Sequence, residues 1–317
     1  MFDNYNQPKI QKNNGFTAIR IICAFIVVYE HFVVLTNMQL PLLNLRDFAV
    51  NTFFILSGFW VTKSFLSSKT IIEYFKKRIR KIFPLYLLVV FLSAILLSFF
   101  SALSFYDYFL NNIFWKYLLM NIITLNFIQP YLPGVFDNSP VNGSLWTIKV
   151  EIGFYIILPL LIYIWSKKWE RSDGEKKSYN WGLLIILYVI SVIYVILIDF
   201  IIKQYNLPEA LNHQLPAYIS YFISGMICFL YYNKIYPVIN YLIFPSCIIL
   251  ILTVFNNIFL VNIFTIVFEP IALSIFIMFL ALKIKIFQVF SKVYDFSYPL
   301  YLFHYPLIMI LKLYIGK

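Results

Sequence analysis

The amino-acid sequence predicts an all-α, polytopic transmembrane helical bundle, and three observations predict it. Of the 317 residues, 62% are hydrophobic and only 12% are charged, against roughly 45–50% and about 25% in a soluble domain. Mean hydropathy is +0.80. The apolar residues gather into about ten runs, each near the ~20 residues that a spanning helix needs. So few charges could not cover a water-exposed surface, and the chain is too apolar to remain disordered. Lipid gives the backbone no hydrogen-bond partner, so each run must be helical.

The runs lie near 16–36, 48–66, 82–101, 110–128, 145–165, 181–202, 216–233, 236–255, 258–281 and 297–314. They read as one membrane domain, 1–317, without a tandem repeat or long linker. Residues 1–15 are polar and the first run is long enough to span, which argues against a cleavable signal peptide. The fourth run, with Lys116 and several Asn, is the weakest. Cys23, Cys228 and Cys247 all fall inside apolar runs and form no spaced framework, so a disulfide scaffold or zinc module is not expected.

The formal charge of +11 sits between the runs, which is how cytoplasmic connections are marked; it does not indicate nucleic acid. The N-terminus carries Lys9, Lys12 and, within the start of the first run, Arg20. Lys63, Lys69, Lys76, Lys77, Arg78, Arg80 and Lys81 follow the second, whereas the connection after the first has only Arg46. The N-terminus is therefore expected in the cytoplasm of a cell-membrane protein. Two further clusters follow: Lys167, Lys168, Arg171, Lys176 and Lys177, then Lys283, Lys285 and Lys292. They fall inside only if the fourth run enters and leaves by one face. The charge rule thus favours nine spans over ten, with a re-entrant or interfacial fourth run.

Charged groups at membrane depth cost about 2.5–3.5 kcal/mol each on insertion scales, so each is a functional candidate. In the first run, Arg20 and His31 are eleven apart and share one helix face about 16 Å apart. Glu30 points about 100° away from His31. The bland readings are a snorkelling Arg20 and a helix-joining His31. In the fifth run Glu151 and Tyr155 are i,i+4 neighbours, and Glu151 could equally be the structural partner of a buried cation. In the tenth, Ser297, Tyr301 and His304 form an i, i+4, i+7 stripe, and Pro299 and Pro306 bend or interrupt that helix. The basic stretch KKRIRKIFPLY reads as a loop serving topology and, beyond that, as a phosphate clamp. Ser57-Gly58 reads as a close-packing position. No GxSxG, HExxH or Walker sequence is present, and the spacing of His31, His213 and His304 does not support a zinc site.

Taken together, these strings resemble the acyltransferase-3 family of membrane acyltransferases. The resemblance runs in order through Arg20…His31, FFILSGF (53–59), RIRKIFPLY with Pro84 and Tyr86, SLWTIKVEIGFYIILP with Ser144, Trp146, Glu151, Phe154, Tyr155 and Pro159, and SYPLYLFH. Two departures stand out. The family's paired Arg, three apart, are Arg78 and Lys81 here, with loss of one bidentate fork, and Ile152 replaces a frequent acidic residue. Ending at Lys317, the chain resembles the membrane-only form without an appended esterase-like domain. The family is usually described with ten spans, one more than the charge rule favours.

The resemblance implies O-acylation of a surface polysaccharide or its lipid-linked precursor, with acyl-CoA, usually acetyl-CoA, as the cytoplasmic donor and no metal. On that reading Arg20, Arg78, Arg80 and Lys81 bind the donor. His31 is the base or a transient acyl carrier, and Glu151 orients or charge-balances the site. Glu30, Trp146, Tyr155, Ser297, Tyr301 and His304 line the substrate path. The implied partners are the bilayer, acyl-CoA and a glycan acceptor, with self-association or a polysaccharide-assembly partner left open. A transporter or flippase would use the same intramembrane charges as a relay. A non-catalytic subunit of a polysaccharide assembly complex, or an unrelated lipid-modifying O-acyltransferase, fits the same composition.

Overall fold

A computed structural model describes residues 8–41, 45–166, 181–254 and 259–315. The basic cluster 167–177 lies outside the described residues. Twelve α-helices are present among the described residues, and no strand. They are α1 (Phe16–Thr36), α2 (Arg46–Leu66), α3 (Ile71–Leu96), α4 (Phe105–Leu110), α5 (Asn112–Ile122), α6 (Trp146–Ser166), α7 (Gly182–Tyr205), α8 (Leu215–Leu230), α9 (Tyr232–Val254), α10 (Phe259–Lys283), α11 (Lys285–Val289) and α12 (Ser297–Ile315).

Among the described residues, seven helices are long and apolar enough to cross a membrane: α1, α2, α3, α6, α7, α9 and α10. α8 is apolar but has 16 residues, and α12 has 19, lengths of about 24 and 28 Å against a hydrocarbon core of about 30 Å. The chain is a multi-pass membrane protein. The fourth apolar run is no single helix. α4 ends at Asn111, whose side chain accepts from the amide of Ile113 to start α5. α5 then stops at Thr124, held at φ 62, a backbone state rare for a β-branched residue. Its 11 residues reach only about 16 Å, half the hydrocarbon core.

The basic stretch expected as a loop is helical. α3 begins at Ile71 and continues through Pro84. Lys and Arg are good helix formers, and a low local hydropathy disguised them as a connection.

The chain divides into two compact units, interleaved in sequence. One comprises Met1–Ile19, Asn51–Phe75 and Val150–Val293, and the other Arg20–Val50, Lys76–Lys149 and Tyr294–Lys317.

In the first unit, α2 and α8 meet through glycine. A Cβ on Gly58 would lie 2.1 Å from the Phe222 carbonyl oxygen, and one on Gly225 would lie 1.9 Å from that of Ile55. Only hydrogen fits at either position, so Ser57-Gly58 does sit at a close helix contact. Phe154 of α6 stacks on Phe222 at 4.3 Å between ring centroids. Pro159 has no N–H for the Tyr155 carbonyl one turn earlier. Tyr74 supplies the missing donor, its hydroxyl 3.0 Å from that oxygen.

In the second unit, α1 and α12 run parallel. Arg20 pairs with Asp295 near their N-terminal ends and His31 meets His304 further along both. Tyr298 of α12 donates to the Ile82 carbonyl of α3 at 3.1 Å, and Tyr86 of α3 donates to the Asn121 carbonyl of α5 at 2.9 Å.

Candidate functional site

The segment entering α6 is built around Asn142. Its side-chain oxygen accepts from the amide and hydroxyl of Ser144, at 3.2 and 2.6 Å. Its amide donates to the Leu302 carbonyl of α12 at 2.8 Å. Pro306 leaves that carbonyl without its helical partner, and a buried carbonyl needs one. The next turn continues the seam. The hydroxyls of Thr147 and Tyr301 are 2.9 Å apart, and Tyr301 also donates to the Ser144 carbonyl at 3.2 Å. Gly143 lies against Tyr305, whose ring a Cβ would meet at 2.8 Å. The Ser-Leu-Trp string thus seats the start of α6 on the aromatic stripe of α12.

Against this stripe stands His31. Its Nδ1 is 2.8 Å from His304 Nε2, with the rings edge to edge and nearly coplanar, 5.0 Å between centroids and 18° between planes. His304 is 3% exposed, and its Nδ1 is 2.6 Å from the Tyr301 carbonyl oxygen. Tyr305 meets His31 edge-on at 5.5 Å. The second unit therefore brings together His31, Tyr301 and His304 in one hydrogen-bonded run.

The remaining candidates separate into distinct places. Arg20 forms an ion pair with Asp295 at 3.0 Å. Asp295 in turn accepts from the amide and hydroxyl of Ser297, at 3.2 and 2.5 Å, at the start of α12. Burial raises the Asp295 carboxyl, but the Arg20 guanidinium and the Ser297 hydrogen bonds outweigh it and hold the group below its ordinary range. Glu30, 6% exposed, accepts from the Leu45 amide at 2.7 Å, a negative group at the positive N-terminal end of α2. Trp146 is half-buried as the first residue of α6.

On α3, successive residues turn by about 100°. Arg78 therefore lies near the direction of fully buried Tyr74 and Ile82, Lys81 lies about 60° from it, and Arg80 points almost the opposite way. Arg78 is half-buried, whereas Arg80 and Lys81 are exposed. Arg78 and Lys81 can serve one anionic ligand; Arg80 faces elsewhere. In the first unit, Glu151 and Tyr155 do share a face, with the Tyr155 hydroxyl donating to Glu151.

Sequence reasoning passed over four residues that organise these places: Asn142, Asp295, Tyr305 and Glu269. Glu269, on α10, accepts from Tyr221 at 3.0 Å and Asn51 at 3.3 Å. The rule that singled out Glu30 applies equally to a carboxylate in the run VFEPIAL. Among the described residues no group of three His, Cys, Asp or Glu stands ready for a metal ion. An apolar cavity of about 410 Å³ lies between α7, α8, α9 and α10; Cys228 lines it, and none of the candidate catalytic, donor-binding or substrate-path residues does.

A family model described as an acyltransferase domain matches residues 13–317. "Nodulation protein 10" of Rhizobium leguminosarum bv. viciae is 28% identical over 181 residues, 53% of this chain and 49% of that protein. The "O-acetyl transferase" of Shigella phage Sf6 is 31% identical over 156 residues, 47% of this chain and 45% of the relative. "Putative acetyltransferase ORF330" of Acidianus two-tailed virus is 23% identical over 235 residues, 74% and 60% of the two chains. The chain spans about half the length of the curated relatives it matches. No solved structure matches it. With a match that takes in the paired histidines, the Asn142 seam and both compact units, the chain belongs to the acyltransferase-domain family that its motifs resemble.

Proposed function

We propose that this protein is a membrane-embedded O-acyltransferase moving an acyl group, most simply acetyl, from cytoplasmic acyl-CoA to a hydroxyl of a surface polysaccharide or its lipid-linked precursor. The observation that carries the reading is the run from His31 through His304 to the Tyr301 carbonyl. It gives an imidazole a fixed orientation, as general-base chemistry on a hydroxyl requires. The name of the phage relative, O-acetyl transferase, supports oxygen as the acceptor atom.

Acyl-CoA supplies a thioester-activated acyl group and a polyanionic handle. Arg78 and Lys81 suit that handle because they lie on neighbouring faces of α3, which Tyr298 ties to α12. Arg20, committed to Asp295, holds the ends of α1 and α12 together near that place. His31 takes the proton of the acceptor hydroxyl as its oxygen bonds to the acyl carbon. The carbon–sulfur bond breaks, and His31 returns the proton to the departing thiolate. The products are an ester and a free thiol.

The protein resides in the cell membrane with its N-terminus in the cytoplasm. Parallel α1 and α12 start on the same face, so an even number of crossings separates their starts. A path in which α5 does not cross meets that condition, and it puts Lys283, Lys285 and Lys292 with Lys9 and Lys12 on the cytoplasmic side.

The test is incubation of membranes containing the protein with labelled acetyl-CoA and acceptor glycan. Label in alkali-labile ester on the glycan, with one free thiol per ester, supports the enzyme. Glycan translocation without label transfer supports the transporter and removes the proposal.

A further inference from the structure

We infer that His304 is a positioning residue that holds His31 in the tautomer protonated on Nδ1 and so reserves His31 Nε2 for the acceptor proton. The inference rests on His31 as the base.

The assignment follows from what each atom can do. The Tyr301 carbonyl oxygen has no proton and can only accept. His304 Nδ1, 2.6 Å away, must therefore carry a hydrogen. A neutral imidazole carries one N–H, which leaves His304 Nε2 as an acceptor. That nitrogen faces His31 Nδ1 at 2.8 Å, so His31 Nδ1 is the donor. With both rings neutral, the His31 lone pair lies on Nε2. The Tyr305 ring, which meets His31 edge-on, restricts rotation about this axis. Tyr305 is itself confined by Gly143.

The same run serves the protonated state. When His31 Nε2 takes a proton, Nδ1–H continues to donate to His304 Nε2. The charged ring then faces an acceptor already oriented by a backbone carbonyl, and nothing has to rotate. Orientation supplied in advance is what makes such contacts effective. An imidazolium at His304 gives the opposite assignment: both its nitrogens donate, His31 Nδ1 accepts, and the proton blocks His31 Nε2.

The chain has 3 histidines, so nitrogen NMR of protein labelled with 15N-histidine in nanodiscs reads the tautomers directly, with His213→Asn and His304→Gln variants for assignment. The expected spectrum has His31 and His304 each protonated on Nδ1 and bare on Nε2. A proton on His31 Nε2 in the unliganded neutral state overturns the inference, whatever the turnover. In the transfer assay, His304→Leu should lose about 10²–10⁴-fold in kcat with the acyl-CoA KM unchanged. His304→Gln, whose amide oxygen can still accept from His31, should recover at least tenfold of that loss. Wild-type kcat in His304→Leu, with His31→Ala inactive, removes the positioning role and leaves the base. Wild-type kcat in His31→Ala removes the base itself.

Discussion

Asn142→Ala tests whether the start of α6 is seated on α12 by the carbonyl that Pro306 frees. The substitution removes the amide that donates to Leu302 at 2.8 Å, and it also removes the acceptor of Ser144. A buried carbonyl left without a donor costs about 1–3 kcal/mol, while measured side-chain hydrogen bonds in a membrane bundle average about 0.6 and reach about 1.7. Pro306→Ala isolates the carbonyl, because it restores a backbone N–H four residues after Leu302 and lets the helix satisfy the group itself. The Ser144 contribution is the same in both backgrounds and cancels in a double-mutant cycle. The coupling expected is about 1 kcal/mol, or about fivefold in the unfolding equilibrium constant, with Asn142→Ala less harmful in the Pro306→Ala background. The assay is unfolding of the four proteins in mixed micelles by titration with a denaturing detergent. A cost for Asn142→Ala that agrees within about 0.3 kcal/mol in the two backgrounds refutes the account of this seam.

Three further outcomes follow from the packing and the charges. Gly225→Ala places a methyl 1.9 Å from a backbone oxygen of α2 and should destabilise the protein by about 1–3 kcal/mol, read as loss of the monodisperse peak on heating and chromatography; an unchanged profile contradicts the close α2–α8 contact. Glu269→Gln keeps an acceptor for Tyr221 and Asn51, whereas Glu269→Leu strands both donors, so Leu should lower the apparent Tm more than Gln; the reverse order contradicts the assigned contacts. The Asp295 carboxyl is held below its ordinary value, so its ionised form stabilises the folded state. That contribution is complete above the unfolded carboxyl value of about pH 4 and is lost as pH falls through the lower folded value. Asp295→Asn should therefore be less stable than wild type near neutrality and converge with it in acid, and a gap that persists or widens in acid contradicts the ion pair's role.

Much of this site was legible because one-dimensional spacing maps onto a helix face. The eleven-residue separation put Arg20 and His31 on one side of α1, and the i, i+4, i+7 stripe aligned Ser297, Tyr301 and His304. Spacing within a helix says nothing of which helices meet. The contact between His31 and His304, 273 residues apart, could not be read from either run. Asp295 stands just before the α12 stripe, yet its meaning lies in Arg20, 275 residues away. Asn142 was equally silent, since its role depends on a proline on another helix. The basic stretch of α3 reads as a loop by its charge, yet Lys and Arg are good helix formers. The split between Arg78 and Arg80 comes with that helix, since two residues two apart on a helix point to opposite sides. The weakness of the fourth apolar run was readable, and the break at Thr124 gives its backbone cause.

His31 as the acyl-transfer base is tested by ester formation in its absence. Purified wild-type protein and His31→Ala, at matched abundance and matched monodispersity, are given labelled acetyl-CoA and acceptor glycan, and ester formation is followed with time. Wild type should transfer the acetyl group, and His31→Ala should lose at least about 10²-fold. Equal rates of ester formation by the two proteins would contradict it.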